Sequence, residues 1–175
     1  EKIIYSIIKK LNINCNYNKQ NKILHISNTQ GSLSGNFEVD LQDAPNIAPT
    51  LAILGAYIDG SFIVRGAKLT QLHKCPRITT IIAELRKAGV DIKPIYAQDE
   101  IDGFHIKGKK HYPGNITFNC YSDHRILMSL FIFSLKTHAP CMIAHDTMAN
   151  VKCSFPEFFT YFNTNTDHHV VTEAL

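Results

Sequence analysis

Two arginines stand where helical patterns begin. Arg125 follows Ser122, Asp123 and His124 and opens the most apolar run of the chain. Arg77 precedes an apolar pattern that starts at Ile78, with His73 and Lys74 in the loop ahead of it. A helix N-terminus already carries about half a positive charge, so a cation in its first turn is disfavoured by about 0.3–1 kcal/mol unless an anion lies between them. Arg125 therefore calls for an anion. Either the protein supplies it, with Asp123 the nearest carboxylate, or a ligand does. A third cation, Lys152, lies in the segment NVKCSFP at 150–156, just ahead of a helix expected over 156–162, where Pro156 at N1 follows a Ser cap. Three Lys- or Arg-bearing loops at helix starts can converge on one multiply charged small anion, a phosphate or carboxylate compound. The competing account is a set of solvated basic loops, with Ser122 or Asp123 acting simply as an N-cap.

Other chemistry loses support on composition and spacing. The chain of 175 residues has 18 Lys and Arg against 15 Asp and Glu, for a formal charge of +3, and no basic block of the kind that dominates phosphate-backbone binding. No nucleic-acid partner is expected. The longest apolar run, 126–135, contains Ser129 and Ser134 and falls short of the ~20 residues that cross a bilayer, so no membrane partner is expected either. Five cysteines (Cys15, Cys75, Cys120, Cys141 and Cys153) are an odd number without CxxC spacing, which fits reduced, mostly buried thiols and a cytoplasmic location. Cys120, His124 and His145 lack metal-site spacing, and His25 and His105 occupy equivalent places in two strands, where a repeated structural role is the expectation. No dinucleotide, Walker, HExxH or GxSxG pattern occurs, so no cofactor or metal is expected.

The elements that must position these cations come as a repeat. Ile4, Ile7, Ile8 and Leu11 fall at helical spacing and recur as Ile78, Ile81, Ile82 and Leu85. KLNIN at 10–14 corresponds to KAGVD at 87–91, and the strand segments Leu24-His25-Ile26 and Phe104-His105-Ile106 follow in turn. A long apolar helix at 49–57 and a strand at 61–64 match a helix at 125–135 and a strand at 141–144. A repeat of this length and order is an α/β unit used more than once, too long for a solenoid turn. The helices at 49–57 and 125–135 are apolar on most faces and should be buried among other elements. The helix from Ile78 has one apolar stripe and a polar face of Glu84, Arg86 and Lys87, and should lie outside. The first residues fall at the second helix of a unit, so the expectation is a truncated first unit; 163–175 shows no periodicity and reads as a polar tail.

DLQDAPNIAPTLA at 40–52, Asp59-Gly60, Arg65-Gly66, HKxxRI at 73–78, ELRKAG at 84–89, SDHR at 122–125 and SFPEFF at 154–159 together resemble 5-enolpyruvylshikimate-3-phosphate (EPSP) synthase in order and spacing. The resemblance covers 1–162. It implies an α/β fold of βαβαββ repeats, about two units here, forming most of one lobe, the C-terminal one, of an inside-out barrel. The family joins two such lobes around a cleft, and transfers the enolpyruvyl group of phosphoenolpyruvate (PEP) to shikimate 3-phosphate. By the same resemblance Arg77 and Arg125 match PEP-binding arginines, and Lys74, Asp123, His124 and Lys152 complete the substrate-binding set. The acid–base pair is not matched. The family's Asp falls on Asn46 and its Glu on Lys74 or Cys75, with no acidic residue between Ser61 and Ala83. The active-site Lys near the C-terminus falls on Cys153, one place after Lys152. An amide takes no proton from a hydroxyl at neutral pH. Three functions follow as alternatives: an EPSP synthase-like domain without catalysis that still binds an anion such as PEP or shikimate 3-phosphate, part of an active synthase completed by a complementary lobe, or an interaction module that self-associates.

Overall fold

The computed structural model of the protein describes residues 2–27, 31, 33–144 and 148–165. It begins with helix α1 (Lys2–Lys10), whose last turn carries Lys9 and Lys10 at the negative end of the helix. Ile7 and, just beyond the helix, Leu11 are buried. A short antiparallel hairpin follows, β1 (Asn14–Asn18) and β2 (Ile23–Ser27).

The middle of the chain is a whole unit. Strand β3 (Ser34–Asp40) leads through a 3-10 turn, Pro45–Ile47, into helix α2 (Ala48–Ala56), and the chain returns as β4 (Asp59–Arg65) parallel to β3. A second 3-10 turn, Lys68–Leu72, feeds α3 (Arg77–Lys87), after which β5 (Asp91–Ala97) and β6 (Glu100–Gly108) close the sheet in the order β3-β4-β6-β5. Val64, Phe62, Phe104, Ile106 and Ile92 alternate inward and are buried, as a sheet with one covered face requires. Gly108 is dictated by packing: a Cβ there would collide with the carbonyl oxygens of Gly55 and Ile58 at the end of α2.

The next unit opens the same way, with β7 (Thr117–Asn119), α4 (His124–Ser134) and β8 (Met142–Ala144), the two strands again parallel. Helices α5 (Met148–Ser154) and α6 (Phe158–Asn165) follow. Phe158 and Phe162 of α6 pack edge-on against Phe131 of α4.

Helices α2 and α4 lie side by side and run in the same direction. Arg125 at the start of α4 reaches the carbonyl of Asn46 just before α2, while Tyr57, just past α2, donates its hydroxyl to the Phe133 carbonyl near the end of α4 at 2.7 Å. Tyr112 donates to the Ala56 carbonyl at 2.8 Å, and burial pushes its phenol up to about 12. Both helices are buried over most of their surface, as their composition predicts. Between α1, α2 and α4 an open groove of about 850 Å³ remains, lined by apolar side chains such as Ile7, Ile53, Leu54, Met128 and Ile132.

Three expectations fail here. Glu84 does not face solvent: it is completely buried, because its carboxylate is claimed by groups of the neighbouring unit. The last helix begins at Phe158, not at Pro156, and Lys152 lies in α5, a helix absent from the expected pattern because 150–156 carries no clear apolar period. The thiols are less buried than expected: Cys75 and Cys120 are buried, Cys15 and Cys141 half-buried, and Cys153 exposed. Helix α6 runs through Asn165, three residues into the expected tail, while 166–175 and His145 lie outside the described residues. No helix among the described residues is long and apolar enough to cross a membrane.

Candidate functional site

Three helix starts meet at one place. Asn46 sits in the 3-10 turn that feeds α2, Arg77 is the first residue of α3, and Asp123 is the N-cap of α4 with His124 and Arg125 directly after it. Asn46 and Asp123 hold equivalent positions of successive units, ahead of the parallel helices α2 and α4, and the start of α3 brings Arg77 to the same place.

The Asp123 carboxylate does two jobs. Its Oδ1 accepts the backbone N–H groups of Arg125 at 2.8 Å and Ile126 at 3.1 Å, closing the start of α4. Its Oδ2 accepts Arg77 Nε at 2.9 Å, with both side chains only 8% exposed. The anion demanded by a cation at a helix start is thus supplied inside the protein for Arg77. For Arg125 no such anion is supplied among the described residues: the internal pair with Asp123, one of the two alternatives above, goes to Arg77 instead, and the Arg125 guanidinium makes a long 3.4 Å contact from Nη1 to the Asn46 backbone oxygen.

Asn46 is where the two arginines converge. Arg77 Nη1 donates to its Oδ1 at 2.6 Å, and Arg125 to its carbonyl. His73 joins from the loop before α3, its Nε2 lying 3.2 Å from Asn46 Oδ1 and 3.4 Å from Arg77 Nη1, so that one ring tautomer donates to the amide and the other accepts from the guanidinium. Asn46 and His73 are exposed and Arg125 half-buried, which opens the cluster to solvent. His124 is half-buried beside it; burial lowers its pKa, the charges of Arg125 and Arg77 lower it further, and Asp123 opposes them. Cys75, at the back of the loop, has its thiol pushed up by burial, against a hydrogen bond from Thr80.

The loop that presents Asp123 is strained. Tyr121 and Ser122 have φ of +50° and +57°, a left-handed conformation that side chains with a Cβ rarely adopt. Buried Glu84 of α3 holds this loop, accepting the Asn119 N–H at 2.8 Å and the Tyr121 hydroxyl at 3.2 Å, with Lys87 Nζ at 2.6 Å as its counter-charge.

Of the residues singled out from sequence, the structure gathers Arg77, Asp123, His124 and Arg125. Lys74 and Lys152 are exposed, and among the described residues neither is tied to the cluster by a hydrogen bond or ion pair. Lys152 does not stand ahead of a helix start as expected: it occupies the last turn of α5, where a cation suits the negative helix end. His73 is the residue that sequence reasoning underrated. Its signal was its place four residues before Arg77, in the loop that leads into α3. No group of three or more His, Cys, Asp or Glu suited to a metal ion occurs among the described residues.

Comparison with known proteins finds the EPSP synthase (3-phosphoshikimate 1-carboxyvinyltransferase) family model matching residues 1–162. A 3-phosphoshikimate 1-carboxyvinyltransferase of Methanocaldococcus jannaschii is 32% identical over 158 residues, which is 90% of this chain and 34% of that protein. The Clostridium novyi enzyme of the same name is 31% identical over 162 residues, again 34% of its length. Two solved structures of EPSP synthase from Acinetobacter baumannii superpose with TM-scores of 0.77 and 0.75 at 24% and 25% identity, covering 93% and 97% of this chain but 38% and 39% of theirs. The inside-out α/β architecture implied by the resemblance is shown by these superpositions, and the chain spans 34% of the length of the curated relatives named here.

Proposed function

Because the chain belongs to the EPSP synthase family, we propose that the cluster at the starts of α3 and α4 is the retained anion-binding half of an enolpyruvyl-transfer site, in a domain that lacks the groups for catalysis. One observation carries this: arginines from two successive units, Arg77 and Arg125, converge on Asn46 at an opening to solvent. Guanidinium groups bind carboxylates and phosphates through charge-assisted, planar hydrogen bonds, and PEP carries both. Arg125 is the arginine with spare capacity, since the Asp123 carboxylate is committed to Arg77 and the α4 cap.

Catalysis is a different matter. Proton transfer by a placed carboxyl contributes about 10²–10⁴-fold per group, and the positions matching the family's Asp and Glu hold Asn46 and Lys74 or Cys75. Asn46 Oδ1 here accepts from Arg77 and is an acceptor that takes up no proton. Among the described residues the carboxylate in the cluster is Asp123, which is buried and paired. The purified chain is expected to bind PEP, measured by calorimetry at low salt, and to form no EPSP when mixed with a competent N-terminal lobe of a relative. Turnover in that mixture would show that another group moves the protons. Activity regained by Asn46→Asp with Lys74→Glu would mark the site as decayed rather than rebuilt. The same reading places the protein in the cytoplasm, where its relatives work.

A second reading has its own observation. Ile23, Leu24 and Ile26 of β2 are 46%, 44% and 54% exposed, and the apolar groove lies open beside α1. Exposed apolar surface of this kind associates, so a complementary lobe or a second copy is the expected partner. Light scattering across a concentration series tests it, a strictly monomeric chain with no PEP binding leaving neither reading standing.

A further inference from the structure

We infer that Glu84 is a positioning residue for the anion site: it holds the strained β7–α4 loop against α3 and thereby sets the spacing of Arg77 and Arg125. The inference rests on the anion-site reading above. Glu84 lies on α3 two turns after Arg77 and is 0% exposed. A carboxylate at that depth is strongly disfavoured unless its oxygens are satisfied. Lys87 on its own helix supplies the counter-charge, which would suffice for a structural ion pair. The remaining bonds reach across to another element. Oε2 accepts the Asn119 N–H at the end of β7 and Oε1 the Tyr121 hydroxyl, so the carboxylate clasps the segment from both sides of Cys120.

That segment turns at once through two residues with positive φ, Tyr121 and Ser122, and delivers Asp123 to its double role. A non-glycine backbone remains in such a region only when surrounding contacts over-determine it. Two of those contacts, to Asn119 and Tyr121, originate on α3, the helix whose first residue, Arg77, is paired with the Asp123 carboxylate, while the Cys120 N–H donates to the Ala144 carbonyl of β8. The path forms a closed loop: Glu84 to Tyr121, Tyr121 to Asp123, Asp123 to Arg77, and back down α3. One rigid helix therefore fixes both ends of the connection, and Arg125 follows because its own N–H is bonded to Asp123. The physical content is a distance. If the clasp is released, the loop relaxes toward ordinary φ and Asp123 moves relative to Arg77, which spreads the two guanidinium groups.

The test uses the whole chain, with sulfate and PEP as probes in calorimetry, thermal unfolding, and amide exchange at Arg125 and Ile126, whose N–H groups Asp123 protects. Glu84→Gln keeps the shape and removes the charge; Tyr121→Phe removes one bond at an exposed ring. Both are expected to lower anion affinity, Glu84→Gln by tenfold or more and Tyr121→Phe about threefold, and to speed exchange at Arg125 and Ile126. Ile92→Val, in β5, is the control that destabilises without touching the loop, and should leave affinity and those two amides unchanged. If both Glu84→Gln and Tyr121→Phe bind the probes like the wild type, or if Ile92→Val weakens binding as much as they do, the positioning role is overturned. A wild-type chain that binds neither probe refutes the anion site itself. The amide exchange then still decides whether Glu84 holds the loop, with unchanged exchange in Glu84→Gln counting against it.

Discussion

The starts of α3 and α4 belong to successive units of the repeat and each carries an arginine, yet they treat those arginines in opposite ways. Arg77 is 7% exposed and its guanidinium is engaged by Asp123 and Asn46. Arg125 is half-buried, and its guanidinium makes a 3.4 Å contact with a backbone oxygen. Among the described residues the difference comes from where the Asp123 carboxylate goes. Asp123 is adjacent in sequence to the α4 start, but as its N-cap its Oδ1 is turned to the backbone of α4 and its Oδ2 faces α3. A cap therefore neutralises the neighbouring unit's cation and leaves its own unit's cation available. On the proposed reading Arg77 is a fixed wall of the anion site, and Arg125 is the group that would meet a ligand.

The largest test of this contrast is Asp123→Asn. The amide keeps an acceptor for the cap but leaves the Arg77 charge buried without a partner, and breaking a buried pair from one side costs about 3–5 kcal/mol. Urea unfolding should show it as a fall in midpoint with little change in slope. Arg77→Met should cost less, about 1–3 kcal/mol, because Asp123 keeps two backbone N–H donors, and the other bond lost, to Asn46, frees an amide that solvent can reach. Equal losses for the two variants would mean that the cap contributes nothing to holding the carboxylate.

The third test is pH. The folded state lowers the His124 pKa below its ordinary value of 6.5, so the fold favours the neutral ring. Stability linked to this group is therefore complete above 6.5 and is lost as pH falls below it toward the lowered folded value. Melting temperatures of the wild type should drop over that window relative to His124→Gln, and the two should run parallel above it. A wild type that gains stability on acidification relative to the variant would reverse the sign.

The smallest expected effect on stability is that of Arg125→Ala, within about 0.5 kcal/mol, as for a side chain without a strong internal partner. Its effect on PEP affinity should nevertheless be tenfold or more. A variant that loses stability but not affinity would exchange the roles assigned to the two arginines.

Much of this was legible before any coordinates. The 3.6-residue spacing at 78–85 and the solid apolar composition of 49–57 and 126–135 gave helices α3, α2 and α4, and the period-two segments around His25 and His105 gave β2 and β6. The placement of Arg77 and Arg125 at helix starts was legible too, because caps and first turns are local chemistry. The errors fell where a side chain's fate depends on another element. Glu84 looks like a solvent-facing residue on a helical wheel, and only the approach of β7 and Tyr121 makes its burial tolerable. Lys152 looked like a ligand because Pro156 suggested a helix start, which the chain postpones to Phe158 by ending α5 first.

The resemblance implies that the positions matching the family's proton-transfer pair hold Asn46 and Lys74 or Cys75; the sequence by itself determined which residue types, charged or neutral, stand near which helix ends. Those are properties of residue type and local spacing, and folding does not alter them. The tertiary structure decided which cation is neutralised. It brought Asp123 to Arg77 across 46 residues of chain, set Asn46 between the two arginines, and left Lys74 and Lys152 outside. A hydrogen bond between distant segments depends on how parallel helices align their N-termini, and no local pattern specifies that alignment.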